Sequence, residues 1–418
     1  MPVFSSNVDA ALTQRRETMY EDVVFRLSPA LGLMKHGDSR KMGGNAIKAT
    51  IKSGYSPGVG VTYATAFANI GETQRKAFLV TPNTTYALES VDHDSELYSR
   101  GDDNAIVDVL SDAEKSCMQS AALQLDQALF SDGYGTLFTS ASHTGTTGTI
   151  TVTAVAPSDL FKVQVGQILT SKATPAAAAL DTGGVNGFTV TQVDAIAGVV
   201  TGTTNGAYTA ASTDGHVFGI LGTMAASTSL ITFPGFKAWL TNDPTALSTS
   251  FYGVTRQTDR VGLAGHVIDC TGGVDVITSI NRVLQSISNY PGAKNDLIFL
   301  SSSNNEKLMT LLDNRAVYTD SKGEDIDVLY DGVSFIAGNG KKVTAHVCSA
   351  CSPSDIFVMD SSTWMFASPG NKMVVPGQPD GTPFVPLIST DSTMVKYKAT
   401  GFVYCVAPGF NGRAIVNP

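Results

Sequence analysis

The chain has 418 residues, 43% of them hydrophobic, which is enough for two or three domains with cores of their own. A net charge of −9 excludes a dedicated nucleic-acid-binding protein with a basic face, no stretch approaches the roughly 18 apolar residues of a membrane span, and an odd count of five cysteines excludes a closed disulfide framework. Charged residues are only 16% and glycine stands at 40, so the surface suits a protein covered by copies of its neighbours better than a free-standing enzyme.

Residues 7–34 read as a helix. Val8, Leu12, Met19, Val23, Val24, Leu27 and Leu31 recur at helical spacing, and Pro29 breaks the pattern near its end. Its basic residues Arg15, Arg16 and Arg26 are matched by Glu17, Glu21 and Asp22, a balance that suits ion pairs between subunits. From 44 to 93 the period changes to two. Lys48, Thr50 and Lys52 alternate with Ile47, Ala49 and Ile51, a Gly/Pro-rich tip follows at Gly54–Gly60, and a second run extends from Lys76 through Leu88. The pattern predicts one long β-hairpin over 39–93, too polar to hold a core of its own, because an isolated two-stranded hairpin is marginal in water.

Residues 102–132 carry the clearest helical stripe: Ile106, Leu110, Ala113, Cys117, Ala121, Leu125 and Ala128. Such a helix would be about 45 Å long, with Gly133 and Gly135 ending it. Between 137 and 225 there is no Glu or Arg, Lys162 and Lys172 are the only cations, and runs such as Thr149-Ile150-Thr151-Val152-Thr153 alternate between turns. This segment predicts an inserted all-β domain, a small barrel or sandwich.

After a loop-rich stretch to about 271, helix and strand alternate. Ile277, Ile280, Leu284 and Ile287 mark a helix over 274–290, and Leu297–Leu300 a buried strand. Ser303-Asn304-Asn305-Glu306 has the form of a capping box for a helix bearing Leu308, Leu311 and Leu312. Strands follow at 333–337, 342–347 and 356–360. Two terminal strands, 394–406 and 413–416, are predicted to pair as a hairpin about Pro408-Gly409-Phe410-Asn411-Gly412.

This order of arm, hairpin, long helix, α/β region and closing strands resembles the α+β capsid fold (Hong Kong 97-type) shared by tailed phages, encapsulin nanocompartments and herpesvirus shells. The matching stretches are Asp275 to Asp360, with Ser301-Ser302-Ser303, Asn305-Glu306-Lys307, Asp331-Gly332-Val333 and Asp355–Asp360, and Met394–Lys398 with Ala414–Val416. The resemblance implies an N-terminal arm at 1–38, an extended loop at 39–93 and the spine helix of a peripheral domain at 94–136. It further implies an axial α/β domain at 226–392 and closing strands of the peripheral domain at 393–418, with 137–225 lying outside the shared fold. It also implies a major capsid protein of a tailed bacteriophage. That protein would assemble in the host cytoplasm into pentamers and hexamers of an icosahedral shell around double-stranded DNA bound without sequence preference. Its partners would be itself, portal and scaffolding proteins, and a possible decoration protein. Because the arm helix starts within the first ten residues, any scaffold is expected as a separate protein.

Contacts between subunits are expected at Arg15, Arg16, Arg26, Lys52, Glu72, Arg75 and Lys76. Some capsids of this fold join a Lys of the extended loop to a neighbour's Asn, and Lys52 and Lys76 lie in that region. No catalytic residue, cofactor or metal site is expected. Cys348-Ser349-Ala350-Cys351, two residues after His346, is a CxxC, but it follows a strand instead of opening a helix, and no second ligand pair stands at zinc spacing. Glu324, Asp325, Asp327 and Asp331 lack the pattern of a calcium loop. The rival readings are an encapsulin shell of the same fold, a CxxC redox or metal enzyme, and another virion or surface-layer component.

Overall fold

The computed structural model describes residues 35–37, 46–95, 109–145, 148–175, 177, 180–181, 187–205, 215–224, 230, 232, 234–313, 334–336, 340, 342–367, 374–376, 384–387 and 390–418. The predicted arm helix, with Arg15, Arg16 and Arg26, lies outside them, as do Ile106 and the acidic group at 324–331.

In chain order, β1 (Lys35–Gly37) is followed by β2 (Ile47–Lys52), α1 (Tyr63–Ala68), β3 (Arg75–Val80), β4 (Asn83–Asp92) and α2 (Val109–Phe130). Next come β5 (Phe138–Thr144), β6 (Thr149–Ala154), β7 (Ile168–Lys172), β8 (Phe188–Asp194), β9 (Val199–Thr204) and β10 (Val217–Ile220). Three short helices, α3 (Phe236–Trp239), α4 (Pro244–Ser248) and α5 (Arg260–Ala264), lead to β11 (His266–Asp269), α6 (Val276–Ser288), β12 (Leu297–Leu300) and α7 (Ser302–Asp313). The remaining elements are β13 (Ser334–Ile336), β14 (Lys342–Val347), β15 (Asp355–Met359), β16 (Trp364–Ala367), β17 (Val374–Pro376), β18 (Phe384–Leu387), β19 (Ser392–Cys405) and β20 (Gly412–Ile415).

The chain divides into two compact units. Of the described residues, the first takes in those within 83–126 and 368–401, and the second those within 28–82, 127–367 and 402–418. This division differs from the expected one, which kept 368–392 with the axial domain and 402–418 with the peripheral domain.

In the first unit β4 and β19 share a ten-residue antiparallel ladder from Asn83↔Gly401 to Asp92↔Ser392. The alternation Ala87, Val91 on one strand and Val395, Tyr397 on the other meets Ala113, Cys117 and Ala121 of α2 in one core. From Ala113 to Ala128 the stripe read from the sequence is thus the buried face of α2. Tyr397 donates its hydroxyl to Glu114 at 2.7 Å, so the polar tip of a buried ring is satisfied.

The second unit holds a sheet in the order β11-β20-β15-β12-β14-β13. Pairs β11/β20 and β12/β14 are parallel and the others antiparallel. One face is covered by α6, whose Val276, Ile280, Val283, Leu284 and Ile287 pack with Ile298, Leu300, Ile356 and Val358. Helix α7 is capped by Ser301, whose Oγ accepts from the Asn304 N–H at 3.2 Å. The expected cap at Ser303 is therefore two residues late, because Ser303 is already inside the helix.

The segment 138–220 closes into a barrel in the order β10-β5-β6-β9-β8-β7. Thr149, Thr151 and Thr153 stay at or near the surface while Ile150, Val152 and Ala154 are buried, and Leu169, Phe188, Val190, Val200 and Phe218 complete the core. Gly202 is required where it stands: a Cβ there would lie 2.4 Å from the Phe188 ring.

Two sequence expectations fail here. The hairpin ends at Pro82, which has no N–H to give the ladder, and β4 leaves to pair with β19. The terminal strands do not pair with each other. Pro408–Phe410 forms a 3₁₀ turn, and fully buried Asn411 anchors the chain beyond it. The Asn411 Oδ1 accepts from Trp364 Nε1 and the Asp360 N–H at 2.9 Å each, and its Nδ2 donates to Thr363 and to the Ala407 carbonyl. Strand β20 therefore enters the sheet between β11 and β15 instead of returning along β19.

Candidate assembly surface

The stem of the hairpin forms because β2 and β3 alternate in phase. Register Ile47↔Val80 to Lys52↔Arg75 puts Ala49, Ile51, Phe78 and Val80 on a buried face. Phe78 is fully buried against Trp239 and Phe251, with ring centroids 5.2 and 6.2 Å away. The Leu79 N–H also donates to the Tyr252 carbonyl at 3.0 Å. Tyr252 (φ 49°) and Gly253 (φ 85°) both hold left-handed backbone in a tight turn between Phe251 and Val254, so the anchor itself carries a strained residue.

Beyond Lys52 the chain hydrogen-bonds many of its polar groups to itself. Ser53 and Gly54 N–H donate to the Gln74 carbonyl, Ser56 donates to the Gly71 carbonyl at 3.0 Å, and Asn69 Nδ2 donates to the Val59 carbonyl at 3.0 Å. Thr62 and Thr65 cap α1 reciprocally. Beside these exposed but internally bonded polar groups stand six large apolar side chains. Tyr55, Val59, Val61, Tyr63, Phe67 and Ile70 are between 62% and 104% exposed. Large apolar groups gathered on one loop mark a contact surface more than scattered ones do. Covering six of them would contribute on the order of 10 kcal/mol gross, before the cost of association.

The expected contact residues gather lower down. Lys52 and Arg75 stand opposite each other on the exposed face, Lys76 lies half-buried on the other face, and Glu72 is exposed in the loop leading into β3. No ion pair between described residues involves any of the four. The Lys52 ammonium sits over the Tyr55 ring, 4.3 Å from its centroid. Sequence reasoning took the charges and missed the apolar tip. The signal was present: no charged residue occurs from 53 to 71, yet two Tyr and a Phe do.

Catalytic alternatives find little support in the geometry. Cys348 and Cys351 are buried, and burial, with the Asp355 carboxylate next, pushes the Cys351 thiol well above its ordinary value. A redox pair needs a ready thiolate. Among the described residues no group of three His, Cys, Asp or Glu side chains could hold a metal, and no helix is long and apolar enough to cross a membrane.

No family model matches the sequence, and a search of curated proteins finds no relative. Solved structures do show similarity to it. A chain of the cyanophage A-1(L) capsid asymmetric unit aligns with a TM-score of 0.57 at 11% identity, covering 98% of this chain and 99% of that one. A chain from Microbacterium phage Oxtober96 gives 0.46 at 11% identity with full coverage of both. The holo-SrpI encapsulin complex of Synechococcus elongatus gives 0.47 at 6% identity, covering 99% of this chain and 96% of that one. Built from an anchored hairpin, a long helix on a β ladder and a mixed α/β sheet, this chain has the fold of that cyanophage capsid chain.

Proposed function

We propose that the protein is a major capsid protein of a tailed bacteriophage, a shell subunit with no catalytic role, which assembles into pentamers and hexamers around double-stranded DNA. The observation that carries this reading is the hairpin tip, six large apolar side chains displayed on a loop that bonds its own polar groups internally. A subunit of the capsid fold with such a loop is complete only when a second copy covers it. The hairpin would serve as the extended loop, the first unit as the peripheral domain and the α/β sheet as the axial domain. The barrel would be an added domain, and portal, scaffolding or decoration proteins would be further partners.

Negative-stain microscopy of the expressed protein tests the reading, with closed icosahedral shells as the expected result. Deleting residues 54–74 should leave a folded, soluble subunit that closes no shells. Tubes or flat lattices from the intact chain, or normal particles from the deletion variant, would overturn it. Absorbance and mass spectrometry of the contents separate a DNA-filled shell from one enclosing cargo protein.

A further inference from the structure

Between residues 46 and 80 the chain carries four cations, Lys48, Lys52, Arg75 and Lys76, and one acid, Glu72, against a net charge of −9 for the whole. The register sets Lys52 directly across from Arg75, and the alternation puts Lys48 on the same exposed face. Like charges directly opposite on a ladder repel. None of the three forms an ion pair with a described residue, and Lys52 lies over the Tyr55 ring. The result is a cationic strip about 14 Å long, in which only the Lys52–Tyr55 contact is a favourable charge interaction among the described residues.

The next strand has the opposite sign. From 81 to 95 there are three acids, Glu89, Asp92 and Asp94, and no Lys or Arg. Asp92 stands opposite Ser392 at the end of the β4/β19 ladder, and the His93 N–H donates to the Asp391 carbonyl at 3.1 Å. Asp92, Asp94 and Asp391 are all exposed, and all lie within two residues of that last ladder pair.

We propose that the stem of one copy docks Lys48, Lys52 and Arg75 against Asp92, Asp94 and Asp391 of a second copy. This rests on the reading that the hairpin lies across a neighbour, and it names the chemistry of the surface that receives it. Charge complementarity selects a second copy as occupant: each copy supplies both a cationic strip and an exposed acidic strand end, so one contact repeated around a ring satisfies both. Matched charges fix register and reject wrong placements more than they add affinity. The apolar tip supplies attraction, and the stem sets where it lands.

The test is charge exchange in the full chain. The triple variants K48E/K52E/R75E and D92K/D94K/D391K should each lower shell yield by at least about tenfold at physiological salt, as like-charge juxtaposition at an interface costs several kcal/mol. The chain carrying all six substitutions should recover it. Where a triple variant fails to fold by circular dichroism, Lys52→Glu and Asp92→Lys, alone and together, carry the same comparison. Normal shells from either reversed variant, or no recovery in folded subunits bearing both, would overturn the proposal. So would a stem reversal that leaves shell number unchanged but lowers packaged DNA, which would assign the strip to phosphate. If deletion of 54–74 abolishes shells while every charge variant assembles, the hairpin reading stands and this one falls. If the unaltered chain makes no shells, both fall.

Discussion

Asp355 shows how the second unit tolerates buried charge. Its carboxylate is 1% exposed and takes a two-point contact from Arg413, Nη2 at 2.5 Å and Nε at 2.7 Å, with Lys237 at 3.5 Å. Burial pushes its pKa up, but Arg413 and Lys237 together outweigh that and hold it below the ordinary 3.8. A depressed carboxylate pKa contributes stability that is fully present above the unfolded value and is lost as pH falls through the folded one. The pair therefore supports the fold at neutral pH and fails only in acid, below about pH 4. Asp355→Asn should cost about 3–5 kcal/mol, because it strands the Arg413 guanidinium in the interior. The urea midpoint of the subunit should drop with an unchanged slope, and a loss below about 1 kcal/mol would show the pair to be incidental. Replacing both partners with apolar residues should be far milder. None of this was legible in the sequence: Asp355 and Arg413 lie 58 positions apart, and only the β15/β20 ladder, with Phe357↔Arg413 in register, brings them together.

Elements were legible in proportion to how local their causes are. The barrel was readable because Thr149 to Ala154 alternates within six residues and turns punctuate the rest, and its core draws on side chains from 137 to 220 alone. Expressed by itself, 137–225 should give dispersed amide resonances and a β circular dichroism spectrum. A random-coil spectrum would mean that the second unit's other contacts, such as Ser352 donating to Asp159 at 3.0 Å, hold it in shape. The α2 stripe was readable for the same reason. The terminal strands were misread because Pro408-Gly409-Phe410-Asn411-Gly412 has ordinary turn chemistry, and nothing local reveals that buried Asn411 directs the next strand into another sheet. Strand β11 falls in the stretch that reads as loop, since its four residues, His266–Asp269, are too few to show a period. The tip is marked in the sequence by an absence, since no charged residue stands from 53 to 71.

At the scale of the whole molecule, the five cysteines report on both units at once. Cys117 lies in the first, and Cys270, Cys348, Cys351 and Cys405 in the second; all are buried and none is in a disulfide. Burial, joined by the Glu89 carboxylate, raises Cys117 to about 12, and burial raises Cys405 to about 12. A native titration with a thiol reagent near pH 8 should find almost none reactive, and all five should react in denaturant. Prompt labelling of Cys348 or Cys351 in the folded protein would instead revive a redox role. The closed barrel has one more consequence in the shell proposed above, where copies of the chain would be crowded together. An open sheet ends in strands whose free N–H and C=O groups can pair with any similar edge nearby, and close spacing of identical chains makes that pairing a standing route to aggregation. With β10 hydrogen-bonded to both β5 and β7, the barrel's sheet has no unpaired edge. Many copies can therefore carry it side by side, and strand addition between them has no place to begin.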